Sequence, residues 1–115
     1  MAFTEIDLRR IEKDLGPFME KRRPPPHIRP ELDLRYRISG QSLEIYEVRP
    51  DWQNPKAIME NPIAKATYVK TQDVWKVFWQ RADLKWHRYD PLPMVERLAA
   101  FLKEVDRDPY GCFFG

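Results

Sequence analysis

The sequence lacks the features that would place it in several large classes of protein. It has one cysteine, Cys112, in 115 residues, which excludes an intramolecular disulfide and a zinc site built from several cysteines. No stretch approaches the roughly 20 apolar residues of a membrane-spanning helix. The N-terminus reaches Glu5 without the apolar run of a secretory signal. We therefore expect a soluble, cytoplasmic protein without a membrane partner.

The chain also has no large excess of positive or negative charge. The 20 Lys and Arg residues against 18 Asp and Glu residues leave a net charge of +2, which is too balanced to indicate nucleic-acid binding from charge alone. With 43% hydrophobic and 33% charged residues, the composition is that of a folded globular chain. A chain of this length favours a single domain spanning residues 1–115.

Aromatic residues are abundant, and they concentrate in one stretch. Residues 74–90, VWKVFWQRADLKWHRYD, hold three of the four tryptophans. The alternation predicts a β-hairpin with an apolar face and a mixed aromatic-polar face. We expect the apolar face to lie in the core and to carry Trp75, Val77, Trp79, Leu84 and Trp86. We expect the opposite face to carry Lys76, Phe78, Lys85, His87 and Tyr89.

The first 48 residues predict a helix and two strands. Thr4 can cap a helix whose apolar stripe is Leu8, Ile11, Leu15 and Phe18. Gly16-Pro17 predicts that this helix either kinks or ends near Leu15. Alternation over residues 32–39 and 43–48 predicts two strands, and the apolar pattern slips by one between Ile45 and Tyr46. Either a bulge or a strand covered on both faces explains the slip.

The remaining segments complete an α+β fold. Two prolines and two asparagines predict a loop over residues 53–62, followed by a strand over 63–70 whose small Ala64 and Ala66 leave room for a helix. Pro91 and Pro93 are expected to open the last helix, which continues to Val105. The sum is an N-terminal helix, a five-stranded antiparallel meander sheet, a C-terminal helix packed on one sheet face, and a docked aromatic tail, Tyr110–Gly115.

Several motifs together resemble a known family. They are RPPP at 23–26, RPDW at 49–52, PIAKATYV at 62–69, VWKVFWQRADLKWHRYDP at 74–91 and GCFFG at 111–115. The chain resembles the small bacterial proteins grouped as a domain of unknown function, family 3024. The resemblance implies a complete small protein, but it supplies no activity and no catalytic residues.

Residues suited to catalysis or metal binding are few. A cysteine nucleophile needs a base within hydrogen-bond reach, so an enzyme would have to combine Cys112 with His87 or His27. Cys112 between Gly111 and Phe113 is more typical of a small buried side chain. No pair of His, Cys or Asp residues has a standard metal-ligand spacing. We therefore assign no catalytic residues and expect neither a metal nor a cofactor.

A binding surface is the sharper hypothesis. We expect a protein-interaction or self-associating module, in which aromatic side chains of the polar sheet face form the centre of an interface with a protein partner or a second copy. The alternative is a single-stranded nucleic acid on the same face, with cations for phosphates and rings for stacked bases. The candidate binding residues are Arg35, Arg37, Lys65, Phe78, Asp83, Lys85, His87, Tyr89 and Cys112.

Overall fold

The structure is a computed structural model and describes residues 3–114. Helix α1 (Glu5–Arg22) begins with a capping box. The Thr4 hydroxyl accepts a hydrogen bond from the Asp7 N–H at 3.1 Å, and the Asp7 carboxylate accepts one from the Thr4 N–H at 3.0 Å. The helix then continues past Leu15 and through Pro17, so the expected end near Leu15 is wrong. Burial of the apolar stripe offsets the hydrogen bond that proline cannot donate.

Within residues 3–114, the sheet contains six antiparallel strands. They are β1 (Asp33–Ser39), β2 (Ser42–Pro50), β3 (Ile58–Val69), β4 (Val74–Gln80), β5 (Trp86–Arg88) and β6 (Met94–Val95). Strands β1 to β5 are neighbours in chain order, which confirms the five-stranded meander. The additional strand β6 pairs with β4.

The β2–β3 hairpin is longer than the sequence predicts. The loop expected over residues 53–62 is confined to 51–57, because β3 begins at Ile58. The Asp51 N–H donates to the Ala57 carbonyl, and the alternation of an antiparallel ladder then places Pro62 in a pair without hydrogen bonds. Proline therefore costs no bond to β2. Beyond Val48, which pairs with Asp33 of β1, β2 pairs with β3 alone. Residues 49–59 thus form a two-stranded arm.

Strand β2 is covered on both of its faces, which explains the slip in its apolar pattern. Tyr46 and Val48 lie opposite Arg35 and Asp33 of β1, on the face away from the helices, and both are buried. Leu43 and Ile45 belong to the core on the other face.

A β-bulge accompanies this strand, and it lies in β3. Ala64 pairs with Ile45 and Pro62 pairs with Tyr46, so that Ile63 is the extra residue. Ile63 and Ala64 are adjacent in the chain and yet both belong to the core, as expected where a bulge interrupts strict alternation.

The second helix begins later than the sequence predicts. Helix α2 spans Leu98–Arg107, whereas the segment after Asp90 continues along the edge of β4. The Tyr89 N–H donates to the Val77 carbonyl, and the Val77 N–H donates to the Pro93 carbonyl. These bonds hold residues 89–95 against the sheet. Within residues 3–114, neither helix is long and apolar enough to cross a membrane.

Both helices lie on one face of the sheet, and the aromatic tail docks beside them. Helix α2 packs against α1 and lies over β3 and β4, where Ala64 and Ala66 are completely buried. Helix α2 ends at Asp108 in a left-handed conformation, and the Asp108 carboxylate accepts hydrogen bonds from the Phe113 and Phe114 N–H groups. The expected docking of the tail is confirmed for Cys112, Phe113 and Phe114, which lie in or against the core, whereas Tyr110 is 68% exposed. Gly115 lies outside the described residues.

A buried carboxylate joins the end of α1 to the start of the sheet. Asp33 is only 2% exposed, and it accepts hydrogen bonds from Arg23 at 2.9 and 3.0 Å, from Arg35 at 3.1 Å, and from the Leu34 N–H at 2.8 Å. The bonds from Arg23, followed by those from Arg35 and Leu34, hold the pKa of Asp33 well below its usual range despite desolvation.

Replacing this carboxylate by an amide should destabilise the protein in a pH-dependent way. We expect Asp33→Asn to lower the free energy of unfolding by about 1–3 kcal/mol at neutral pH. Because the pKa is lower in the folded state than its unfolded value of about 3.9, the stabilisation is complete above that value. It is lost as the pH falls through the folded pKa. Urea unfolding of both proteins at decreasing pH measures the difference.

The matched control is Asp90→Asn, because Asp90 pairs with Arg88 on an exposed surface, where such pairs contribute little. A difference between wild type and Asp33→Asn that stayed constant into strong acid would contradict this account.

Candidate functional site

The sheet face opposite the helices, called the open face, collects four of the predicted binding residues, Arg35, Arg37, Lys65 and Phe78. Directly paired residues of antiparallel strands point to the same face. The register therefore produces a single row of side chains across five strands: Arg37, Glu44, Lys65, Phe78 and Arg88.

The aromatic rings of the open face lie beneath cations of the same protein. The Lys65 ammonium is 5.1 Å from the ring centre of Phe78 and 4.9 Å from that of Trp86. The Arg37 guanidinium is 4.2 Å from the ring centre of Tyr46. These are cation–π distances. Desolvation lowers the pKa of Lys65, and the nearby Glu44 opposes that shift.

The arginines of the open face are also paired with carboxylates. Arg37 contacts Glu44 at 3.2 Å and Glu60 at 3.1 Å, and Arg35 contacts Asp33 at 3.1 Å. A phosphate backbone would have to compete with these carboxylates for each guanidinium, and a base would have to displace Lys65 to reach Phe78. The charged and aromatic side chains of the open face are therefore largely paired with one another.

The faces predicted for β5 are reversed in the structure. Trp79 pairs with His87, and Gln80 pairs with Trp86, so Trp86 lies on the open face and His87 on the helix-covered side. Tyr89 is completely buried, whereas Leu84, expected in the core, is 74% exposed. Leu84 has a φ of 63° within the turn over 81–85, and this left-handed residue breaks the two-residue period from which the faces were predicted.

Asp83, Lys85 and His87 form a separate group at the β4–β5 turn. One Asp83 carboxylate oxygen accepts the Lys85 N–H at 3.0 Å, and the other lies 2.8 Å from the His87 Nε2. The Lys85 N–H and then His87 lower the pKa of Asp83. An adjacent open cavity of about 430 Å³ is lined by Trp79, Arg81, His87, Arg88 and Asp90, none of which is a nucleophile of the serine or cysteine type.

The last two predicted residues, Tyr89 and Cys112, lie in the core with the tail. The Tyr89 ring centre is 4.8 Å from that of Phe113, and its hydroxyl donates to Glu104 at 2.7 Å. Burial, followed by the bond to Glu104, raises the pKa of Tyr89. Cys112 packs against the core, and burial raises the pKa of its thiol. The His87 Nε2 is bonded instead to the Asp83 carboxylate, so that this ring nitrogen is not free to act as a base for the thiol.

The arm carries exposed apolar side chains that the sequence analysis did not select. Trp52 is 84% exposed, Ile58 is 71% exposed and Met59 is 47% exposed. Trp52 lies in the turn of the arm, and Ile58 pairs with Pro50 near its tip. Trp52 stands between prolines beside the expected loop, where no strand period indicates which way its side chain points.

A cavity at the opposite end of the sheet was also not predicted. This end pocket has a volume of about 480 Å³ and lies between the first half of α1, the β3–β4 turn and the start of α2. Its lining residues are Phe3, Asp7, Arg10, Ile11, Asp14, Tyr68, Asp73, Trp75, Glu96, Arg97, Leu98 and Ala99. The Tyr68 hydroxyl donates to Asp73 at 2.6 Å.

Comparison with known proteins identifies the family. The family described as "Domain of unknown function (DUF3024)" matches residues 3–115. The chain belongs to this family. No curated protein and no solved structure matches the chain. The function of this DUF3024 protein must therefore be argued from its surfaces.

Within residues 3–114, the DUF3024 structure contains no group of three or more His, Cys, Asp and Glu side chains placed to hold a metal ion. The end pocket contains acidic and basic side chains but no cysteine or histidine. It has an aromatic wall and a charged rim.

The thiol of this DUF3024 protein should be unreactive. Because burial raises the pKa of Cys112, little thiolate forms near neutral pH, and the thiolate is the reactive species. We expect the native protein to react with a disulfide reagent several-fold more slowly than free cysteine. Unfolding in guanidinium should remove the difference. Labelling of the native protein faster than free cysteine would contradict this prediction and favour an enzyme.

Proposed function

We propose that this protein is a non-catalytic interaction module that self-associates through the arm. The observation that carries the proposal is the exposure of Trp52 at the tip of the arm, with Ile58 and Met59 close by in the chain. Exposed apolar side chains grouped on one projection are typical of a protein–protein interaction site. Tryptophan is among the residues that contribute most to such interfaces.

The backbone of the arm supports the same proposal. Strand β4 pairs with β3 only from Ala64 onward, so Ile58–Pro62 pair with β2 on one side and leave the other side open. The alternation fixed by the Asp51–Ala57 bond directs the backbone groups of Ile58 and Glu60 away from β2. An unpaired strand edge is a template on which another chain can add.

Two other functions receive less support. A single-stranded nucleic acid needs free cations and accessible rings, but on the open face Arg37 is bound to Glu44 and Glu60, and Lys65 covers Phe78. An enzyme based on Cys112 and His87 needs the two side chains to meet, and His87 is bonded to Asp83 instead.

Removing the tryptophan should weaken self-association while leaving the fold intact. Because Trp52 is exposed, we expect Trp52→Ala to leave the free energy of unfolding within about 0.5 kcal/mol of wild type. The dissociation constant should rise at least about tenfold, as for an interface residue of high contribution. Sedimentation equilibrium over a range of concentrations measures both the mass and the dissociation constant.

The control is Tyr110→Ala, which removes another exposed aromatic side chain outside the arm. It should leave the association unchanged. A wild-type protein that remained at 13.9 kDa at every accessible concentration would refute self-association. Equal effects of the two substitutions would refute the assignment of the interface to the arm.

A further inference from the structure

We propose that Trp52 of one copy inserts into the end pocket of a second copy, giving a symmetric dimer that exchanges two arms. This inference rests on the proposed self-association and identifies the surface that receives the arm. It follows from the size and wall of the pocket, from the charges around it, and from the positions of arm and pocket along β3.

The pocket has the size and lining that an indole requires. Its volume of about 480 Å³ lies within the range of about 300–1,000 Å³ that encloses small organic groups. One wall is aromatic, with ring centres of Phe3 and Tyr68 at 5.6 and 5.2 Å from that of Trp75. Aromatic side chains pack at such separations in offset or tilted arrangements. A further ring can extend this cluster.

The charges of the two surfaces are complementary. The rim of the pocket combines Asp7, Asp14, Asp73 and Glu96 with Arg10 and Arg97, which leaves a net charge of −2. The arm, residues 49–59, carries Arg49, Asp51 and Lys56, which leaves a net charge of +1. A cationic aromatic arm thus faces an anionic aromatic pocket, and complementary charges favour the encounter and fix its orientation.

The arm of a molecule cannot reach the end pocket of the same molecule. The arm tip precedes β3, and the pocket is built around the turn that follows it. The 12 residues of β3 separate the two by roughly 36 Å at about 3.3 Å per residue. A Trp52 side chain that fills the end pocket must therefore come from another molecule. Two copies placed side by side and antiparallel bring each arm to the other's pocket, which is a closed two-fold arrangement.

A complementation experiment tests the pairing. Trp52→Ala removes the inserted group, and Ala99→Glu obstructs the pocket at an exposed position of α2. Glutamate in the first turn of a helix favours the folded state. Ala100→Glu is the matched control, because Ala100 is an exposed neighbour that does not line the pocket. Circular dichroism establishes that each variant folds, and sedimentation gives each dissociation constant.

We expect Trp52→Ala and Ala99→Glu each to weaken the homodimer at least tenfold, and Ala100→Glu to have no such effect. Tagged Trp52→Ala, which retains an intact pocket, should then capture untagged Ala99→Glu, which retains an intact arm. Neither variant should capture itself, and the double variant should be captured by neither.

Other outcomes would overturn the inference at identifiable points. If Trp52→Ala weakens the dimer but Ala99→Glu acts no more strongly than Ala100→Glu, the arm binds elsewhere, and only the proposed function survives. A mass that grows beyond the dimer with concentration would exclude the closed exchange. A monomeric wild-type protein would refute both proposals.

Discussion

The helices cover only one face of the sheet, and this determines which side chains must exclude water from the other face. On the covered face, Ala64 and Ala66 are completely buried beneath the helix layer, and small side chains permit close approach of α2. On the open face no helix excludes water from the rings of Tyr46 and Phe78. Arg37 and Lys65 lie over these rings instead, with their charged groups at cation–π distances.

This one-sided cover also ends before the sheet does. Residues 58–63 of β3 have no partner in β4, and residues 49–50 of β2 have no partner in β1. Among the described residues, the arm therefore has neither a helix nor a third strand against it. Apolar side chains there gain nothing from the core. Trp52, Ile58 and Met59 remain in water, a cost that folding of this chain alone does not recover. Burial by another molecule would recover it, which is the physical reason for proposing the arm as an interface.

The order of elements could be predicted from the sequence because local chemistry determines it. The alternation in β1 and β2 and the helix cap at Thr4 depend on nearby residues, and these predictions are confirmed. Predictions failed where distant partners decide. Leu84 adopts a left-handed conformation within a turn that contains no glycine, and the faces of Trp86, His87 and Tyr89 reverse as a result. Pro91 and Pro93 are typical of a helix start, but hydrogen bonds with Val77 hold this segment on the sheet instead. For the arm and the end pocket, the sequence gives composition but no spatial relation between residues so far apart in the chain.

The bulge at Ile63 determines which faces the side chains of the arm occupy. It lets two neighbours in the chain, Ile63 and Ala64, both point into the core. If β3 kept the same residues but lost the bulge, strict alternation from Ala64 backwards would place Ile58 and Met59 on exchanged faces. Deleting Ile63 would have a different effect, because Ile45 opposite Ala64 and Tyr46 opposite Pro62 would then be consecutive pairs of a regular ladder. The arm would keep its faces, and the core would lose one side chain. A single residue of the core thus sets the orientation of an arm that lies outside it.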